Sequence, residues 1–130
     1  MLNENLKTAA IYQKRQEMSG KQRLNRIEIE ELASNALITS GALETSAKSL
    51  AKAVASAEMD GIKSHGLVYV PIYCEHLHCG KVIGSAVPKV ERPAKGAVVV
   101  DACSGFAHPA IDAGFSELVP AAKELGCAGM

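Results

Sequence analysis

Residues 64–80 read SHGLVYVPIYCEHLHCG, and the interpretation of the whole chain depends on this stretch. It holds three of the four histidines and two of the four cysteines. Pro71 stands near the start of an apolar segment and Gly80 just past its end, which is typical of a short helix. The spacing therefore predicts a helix over residues 71–79, with Ser64, His65 and Gly66 in the connector before it.

The Cys/His cluster raises the question of a metal site. Zinc needs ligands that converge on one point at about 2.0–2.3 Å. On a helix, Cys74 and His78 share one face, whereas His76 and Cys79 share a nearly opposite one. One helix cannot gather all four side chains, so we expect no metal here and keep a small metal-binding module only as a distant alternative.

The Ser64-His65-Gly66 connector has a different chemistry. Histidine can give or take a proton near neutral pH, and Gly66 permits close backbone approach to a neighbouring group. These residues could form a catalytic loop facing a cleft. The residue types alone also fit a simpler reading, in which Ser64 caps a helix and His65 is a solvated turn residue.

Two helices are predicted before this connector. Asn25 and Glu28 form a capping-box pattern, and Gly41 closes the helix that follows. A second helix is expected from about Thr45 to Met59, ended by an Asp60-Gly61 turn. The expected buried positions are, for the first helix, Ile29, Leu32, Ala33, Ala36 and Leu37, and for the second, Ala47, Leu50, Ala51 and Val54.

After the connector the pattern changes to strands. Residues 87–92 and 96–102 predict two strands of a hairpin, and the run Val98–Val100 predicts burial on both faces. A helix is expected over about residues 106–125, with a kink or restart at Pro120. Residues 127–130 resemble the opening of another strand. The expected buried stripe of the last helix is Ala107, Ile111, Phe115, Leu118, Ala122 and Leu125.

The turn at Ser104-Gly105 leads from a strand into that last helix. This placement could suit a phosphate, but the chain has neither a G-x-G-x-x-G nor a G-x-x-x-x-G-K-[ST] motif. An ordinary strand-to-helix loop is the better interpretation. His108, two residues into the helix, is more typical of a surface residue than of a catalyst.

Composition limits the classes of function. The chain has 130 residues, 48% apolar and 22% charged, which suits one globular domain. Residues 1–26 carry a net charge of +4, but they lack the interleaved aromatics expected of a nucleic-acid surface. No signal peptide or membrane span is evident, and the four cysteines indicate thiols rather than disulfides. We expect a cytoplasmic protein that binds neither nucleic acid nor membrane.

A resemblance to a known family favours the catalytic interpretation of the Ser64-His65-Gly66 connector. Residues 58–80, EMDGIKSHGLVYVPIYCEHLHCG, resemble the signature of the second malate/L-lactate dehydrogenase family, which is unrelated to the Rossmann-fold lactate and malate dehydrogenases. That family also includes ureidoglycolate, sulfolactate, diketogulonate and cyclic ketimine acid reductases. The similarity continues through residues 87–114 and 121–130, and covers about residues 27–130.

The resemblance implies an activity and a set of site residues. The family interconverts 2-oxo and 2-hydroxy acids, or reduces cyclic ketimine acids, with NAD or NADP, and it forms homodimers. His65 falls on the catalytic proton donor, and Ser64 on the residue that orients the imidazole or binds substrate. Tyr69 occupies a substrate-binding position usually held by Arg, which would clamp a carboxylate in a bidentate manner. Tyr73 matches a tyrosine of the helix and is the weaker substrate-binding candidate.

The resemblance also implies an α+β fold with a non-Rossmann, mixed-sheet nucleotide-binding domain. Family members are well over twice this length, so we expect an amino-terminal fragment whose cofactor-binding residues lie mostly beyond residue 130. The expected organisation is a disordered tail or misassigned start over residues 1–24, a helical region over 25–85 and the beginning of the cofactor domain over 86–130. The predicted function is an NAD(P)-dependent oxidoreductase of 2-hydroxy or 2-oxo acids; a non-enzymatic remnant of such an enzyme is the alternative.

Overall fold

Four helices and a two-stranded hairpin make up residues 23–130, the part of the chain that this computed structural model describes. The tail predicted over residues 1–24 lies outside that part, except for its last two residues. Two short 3₁₀ turns, Lys63–His65 and Leu67–Tyr69, lie between the second and third helices. The elements are α1 (Arg26–Thr39), α2 (Glu44–Met59), α3 (Val70–His78), β1 (Lys89–Ala94), β2 (Ala97–Asp101) and α4 (Ala107–Leu125).

Helix α1 begins where the capping box predicts. The Asn25 side chain accepts a hydrogen bond from the Glu28 amide at 3.0 Å, and the Glu28 carboxylate accepts one from the Asn25 amide at 2.7 Å. The predicted burial of Leu32 is wrong, because its side chain is 52% exposed. Residues Ile29 and Leu37 define the face that packs on α2 and α3, and Leu32 lies outside that face.

Helix α2 supplies the centre of the core. All four of its predicted core residues are buried, and Leu50 and Val54, with Leu37 of α1, are the largest fully buried side chains of the described residues. Alanines at positions 47 and 51 allow the α1 and α2 backbones to approach closely. The helix ends at the Asp60-Gly61 turn as predicted, with Gly61 at φ +75°.

The predicted hairpin is present, shifted by about two residues in β1. Strands β1 and β2 pair antiparallel, with Lys89 opposite Asp101. The prediction that the valine run is buried on both faces is wrong, since Val98 is 2% exposed and Val99 52%. Successive side chains of a strand point to opposite faces, so Val98 faces the interior and Val99 lies on the exposed face.

The other edge of β2 is paired with the carboxyl-terminal segment. The Val98 amide donates to the Gly129 carbonyl at 2.9 Å, and the Gly129 amide donates to the Gly96 carbonyl at 2.8 Å. These bonds form a parallel bridge between Ala97 and Gly129. The prediction that residues 127–130 open another strand is therefore supported, and the described structure agrees with the α+β class in its coarse form.

Helix α4 packs on β2 through small residues, and its predicted stripe is wrong. Ile111 and Phe115 are 42% and 48% exposed. A methyl group placed on Gly114 would lie 2.7 Å from a Val100 side-chain carbon, so only a residue without a side chain allows this approach. The residues that α4 buries are Ala110, Gly114 and Ala121.

The predicted restart at Pro120 is also absent, because α4 runs unbroken through it. Pro120 and Ser116 are exposed, so water can bond the carbonyl that the proline leaves without an amide donor. On the exposed side of the helix, three large apolar residues four positions apart form what we call the apolar face of α4: Ile111, Phe115 and Val119. None of the four helices in residues 23–130 combines the length and apolar character needed to span a bilayer.

Candidate functional site

The Ser64-His65-Gly66 segment forms a tight connector between α2 and α3, as predicted. The Ile62 amide donates to the Ala57 carbonyl at 2.8 Å, which turns the chain back at the end of α2. The His65 amide then donates to the Ile62 carbonyl at 3.0 Å and closes the first 3₁₀ turn. The second 3₁₀ turn leads directly into α3, so a helix on each side fixes the connector.

Ser64 and His65 are hydrogen-bonded to each other at the surface. The Ser64 hydroxyl lies 2.9 Å from Nδ1 of His65, and both residues are exposed. Which group donates depends on the imidazole tautomer. In either case the bond engages Nδ1 and restrains the ring, and no residue of 23–130 hydrogen-bonds to Nε2. Nε2 is therefore the ring nitrogen that can exchange a proton with a bound molecule.

Four aromatic rings run from this histidine to the start of α4, and we call them the aromatic column. His65 and Tyr69 are parallel within 9°, with ring centroids 6.5 Å apart. Tyr69 and Tyr73 meet edge to face at 5.0 Å, and Tyr73 meets Phe106 in the same way at 5.7 Å. Because Phe106 is buried in the core, the column links the connector to the rigid part of the fold.

Three of the four residues predicted from the sequence as a site, His65, Tyr69 and Tyr73, lie in the aromatic column, and the fourth, Ser64, is hydrogen-bonded to His65. Tyr69 is 37% exposed and lies beside the His65 ring, whereas Tyr73 lies deeper. Burial raises the pKa of Tyr73, and the neighbouring Tyr69 adds to the rise. Tyr73 is therefore a neutral hydroxyl at physiological pH, suited to a single hydrogen bond or to packing.

Glu58, in the last turn of α2, is a part of the site that the sequence analysis missed. Its Oε1 accepts a hydrogen bond from the Leu67 amide at 2.7 Å. The carboxylate thus crosses the connector from one helix to the turn that starts the next. In the sequence, only Gly66 indicated that another group approaches the connector closely. No feature of the sequence identified that group as the Glu58 side chain.

The Cys/His cluster of α3 is divided as helical geometry predicts. The Cys74 thiol faces α1 and lies 3.7 Å from the Ala36 carbonyl, whereas the Cys79 thiol lies 3.7 Å from the His76 carbonyl of its own helix. His76 contacts Lys81 at 3.3 Å. Within residues 23–130, no three His, Cys, Asp or Glu side chains lie close enough together to hold a metal ion.

His108 lies on α4, apart from the aromatic column. It is half-buried, and burial lowers its pKa, while the nearby Asp112 carboxylate opposes that change. Asp112 in turn accepts a hydrogen bond from the Ser49 hydroxyl at 2.5 Å. In this arrangement the serine is bonded to the carboxylate and not to the imidazole, so Ser49 and His108 do not form a nucleophile–base pair.

Comparison with known proteins gives a consistent result. The malate/L-lactate dehydrogenase family matches residues 24–130. A Δ1-pyrroline-2-carboxylate/Δ1-piperideine-2-carboxylate reductase from Pseudomonas syringae pv. tomato is 47% identical over 79 residues, which are 61% of this chain and 23% of that protein. An NADP-dependent (2R)-3-sulfolactate dehydrogenase from Chromohalobacter salexigens is 42% identical over 76% of this chain and 29% of its own length.

The fold agrees with that of a solved structure. The crystal structure of the Δ1-piperideine-2-carboxylate reductase from Pseudomonas syringae superimposes with a TM-score of 0.78 at 38% identity. The match covers 80% of this chain and 31% of that structure. The chain thus spans about a quarter to a third of the length of the relatives that it matches.

Proposed function

The chain belongs to the malate/L-lactate dehydrogenase family, and from this premise we propose that it carries the catalytic histidine of an NAD(P)-dependent oxidoreductase. The proposed substrates have a C=O or C=N bond next to a carboxylate. The observation that carries the proposal is the Ser64–His65 pair, exposed in a connector that two helices hold in place.

His65 is proposed to act as the proton donor. When the carbon of a C=O or C=N group gains hydride, its oxygen or nitrogen gains negative charge and must take up a proton. His65 gives that proton from Nε2, the ring nitrogen not engaged by Ser64. Ser64 acts on Nδ1 and keeps the ring in one orientation, so that the transfer does not require reorganisation of the connector.

The nicotinamide cofactor supplies the hydride in this proposal, and no residue of 23–130 is assigned to it. Two amides of the loop between β2 and α4 are used internally. The Cys103 amide donates to the Asp101 carboxylate at 2.7 Å, and the Gly105 amide donates to the Ala102 carbonyl at 2.8 Å. These two amides are not available to a dinucleotide phosphate.

A cyclic imino acid is the second candidate substrate, and Tyr69 favours it. An Arg at this position would offer a charged, bidentate contact to a small 2-oxo acid. Tyr69 instead offers a flat apolar surface and one hydroxyl beside the His65 ring. The reductase activity named for the Pseudomonas syringae relative supports the same choice.

The test is turnover of the purified chain with NADH or NADPH. Pyruvate, oxaloacetate and Δ1-piperideine-2-carboxylate are supplied in turn, and oxidation of the cofactor is followed by absorbance. The assay is repeated on a chimera that joins Met130 to the part of the Pseudomonas syringae reductase following its matched region. Absence of turnover in the folded chain and in the folded chimera would leave the non-enzymatic remnant as the correct interpretation.

His65→Ala and Tyr69→Arg test the roles of these residues in whichever form, chain or chimera, shows turnover. General acid catalysis contributes about 10²–10⁴-fold, so His65→Ala should lower kcat by that order. His78→Ala, at an exposed histidine of α3, is the matched control and should leave kcat unchanged. Wild-type turnover in His65→Ala would refute the catalytic assignment.

Tyr69→Arg should lower KM for the 2-oxo acids with less effect on kcat, because a charged bidentate contact replaces a neutral one. Tyr69→Phe is the control that keeps the ring and removes only the hydroxyl. An unchanged or higher KM for every 2-oxo acid in Tyr69→Arg would show that position 69 does not face the carboxylate.

A further inference from the structure

We infer that Glu58 is a positioning residue for His65, and that Gly66 is glycine because the Glu58 side chain occupies the space of its Cβ. Glu58 lies in the last turn of α2, and its carboxylate accepts the Leu67 amide at 2.7 Å. A hydrogen bond to an ionised acceptor is stronger than one between neutral groups. Glu58 therefore ties the second 3₁₀ turn to the rigid end of α2.

The close approach explains the glycine. A methyl group on Gly66 would lie 2.5 Å from Cδ and 2.8 Å from Cγ of Glu58, which is closer than real Cβ atoms come. The φ of Gly66 is −91°, so access to left-handed backbone is not the reason for glycine here. Space for the Glu58 side chain is the reason, and the two residues form one unit that we call the Glu58–Gly66 clamp.

The clamp acts on the residue between its anchor points. His65 is held on its amino-terminal side by the hydrogen bond from its amide to the Ile62 carbonyl at 3.0 Å. On its carboxyl-terminal side the chain is held at Leu67 by Glu58. With both sides fixed, the backbone of His65 has little freedom, and the imidazole remains within reach of the Ser64 hydroxyl.

The catalytic meaning of this inference rests on the proposed function of His65, but the clamp is tested without turnover. The readouts are NMR signals of the 130-residue chain: the hydrogen-exchange rate of the Leu67 amide, and the ¹⁵N shifts of the His65 ring, which report the balance of its tautomers. Exchange of the Leu50 amide, in the core, serves as the internal reference for global unfolding.

Glu58→Ala should speed exchange of the Leu67 amide by about tenfold, which corresponds to loss of one net hydrogen bond. It should also shift the His65 ring signals, because the ring samples more orientations. Glu58→Gln should restore most of both signals, since its amide oxygen can still accept the bond. Glu75→Ala, at an exposed carboxylate of α3, is the matched control and should change neither.

Gly66→Ala should reproduce the effect of Glu58→Ala, because the added methyl displaces the carboxylate. In the double variant Glu58→Ala/Gly66→Ala the space is already empty, so the second substitution should add almost nothing. If Gly66→Ala folds poorly, the comparison of Glu58→Ala with Glu58→Gln still tests the hydrogen bond from the Leu67 amide.

Three results would overturn the clamp. The first is unchanged Leu67 exchange, relative to Leu50, in Glu58→Ala. The second is additive effects of the two substitutions in the double variant. The third is His65 ring signals that do not respond to Glu58→Ala or Gly66→Ala, which would refute the inference that Glu58 positions His65. Expected signals in the chain, together with absence of turnover in both the folded chain and the folded chimera, would refute the proposed function and leave the clamp intact.

Discussion

Replacing each of the two phenylalanines by alanine separates the packing seen in the structure from the packing that the sequence pattern predicts. Phe106 is 7% exposed, belongs to the core and meets Tyr73 edge to face at 5.7 Å. Phe115 lies on the apolar face of α4 and is 48% exposed. The two substitutions delete the same atoms, so a difference in effect reports the environment alone.

The expected losses of unfolding free energy differ clearly. Phe106→Ala opens a cavity and should cost about 3–5 kcal/mol, of which the aromatic contact with Tyr73 supplies about 0.5–1.5 kcal/mol. Phe115→Ala leaves no cavity, because half of the side chain already contacts water. Full burial of a large apolar side chain is worth about 1.5–3 kcal/mol, so half burial gives a loss of about 1 kcal/mol.

The assay is urea unfolding followed by far-ultraviolet circular dichroism. The slope is about 1–3 kcal/mol per molar urea for small proteins, so Phe106→Ala should lower the midpoint by about 1–5 M and Phe115→Ala by about 1 M or less. Equal losses, or a larger loss for Phe115→Ala, would refute this reasoning. Such a result would show that the large residues of α4 are buried after all.

The amino-terminal cap and the half-buried histidine give two further predictions. Asn25→Ala removes the acceptor for the Glu28 amide and should lower the free energy of unfolding in urea by about 1 kcal/mol. Asn35→Ala, at an exposed position of the same helix, is the control and should lower it by less. Equal losses would contradict the role of the cap. The pKa of His108 is lowered in the folded protein, so the unfolded chain binds more protons and stability should fall as pH drops below about 6.5. His108→Gln should flatten this decline in the midpoint of urea unfolding, and an unchanged pH profile would show that His108 does not contribute.

The first two helices could be predicted because their signals are local. The capping box at Asn25, the glycine at position 41 and the turn at Gly61 each act within a few residues of the boundary that they set. Helix α4 could not be placed in the same way. Its orientation depends on how closely it approaches β2, and Gly114 against Val100 permits an approach that large residues would prevent. A stripe of large apolar residues therefore indicated the wrong face.

In the candidate site, too, the features set by local sequence could be predicted, and those set by tertiary contacts could not. The sequence motif predicted the place of Ser64 and His65 in the connector, and the four-residue spacing to Tyr69 and Tyr73 puts the three rings next to one another. The contact from Glu58 could not be predicted, because it depends on the path of the chain between a helix and the amide of a residue nine positions later. The contact of Tyr73 with Phe106 joins residues far apart in the sequence, so it could not be predicted without the tertiary structure.

The apolar face of α4 has a consequence for the behaviour of the protein in solution. Ile111, Phe115 and Val119 are all more than two-fifths exposed, and Val99 of the neighbouring sheet is 52% exposed. The chain has no net charge at pH 7 and an isoelectric point of about 6.9. Charge repulsion between molecules is therefore weakest near neutral pH. At that pH we expect the exposed apolar surfaces of separate molecules to associate most readily, which favours precipitation of the protein. Colloidal stability should improve on moving about two pH units to either side, and the alkaline side also keeps His108 neutral.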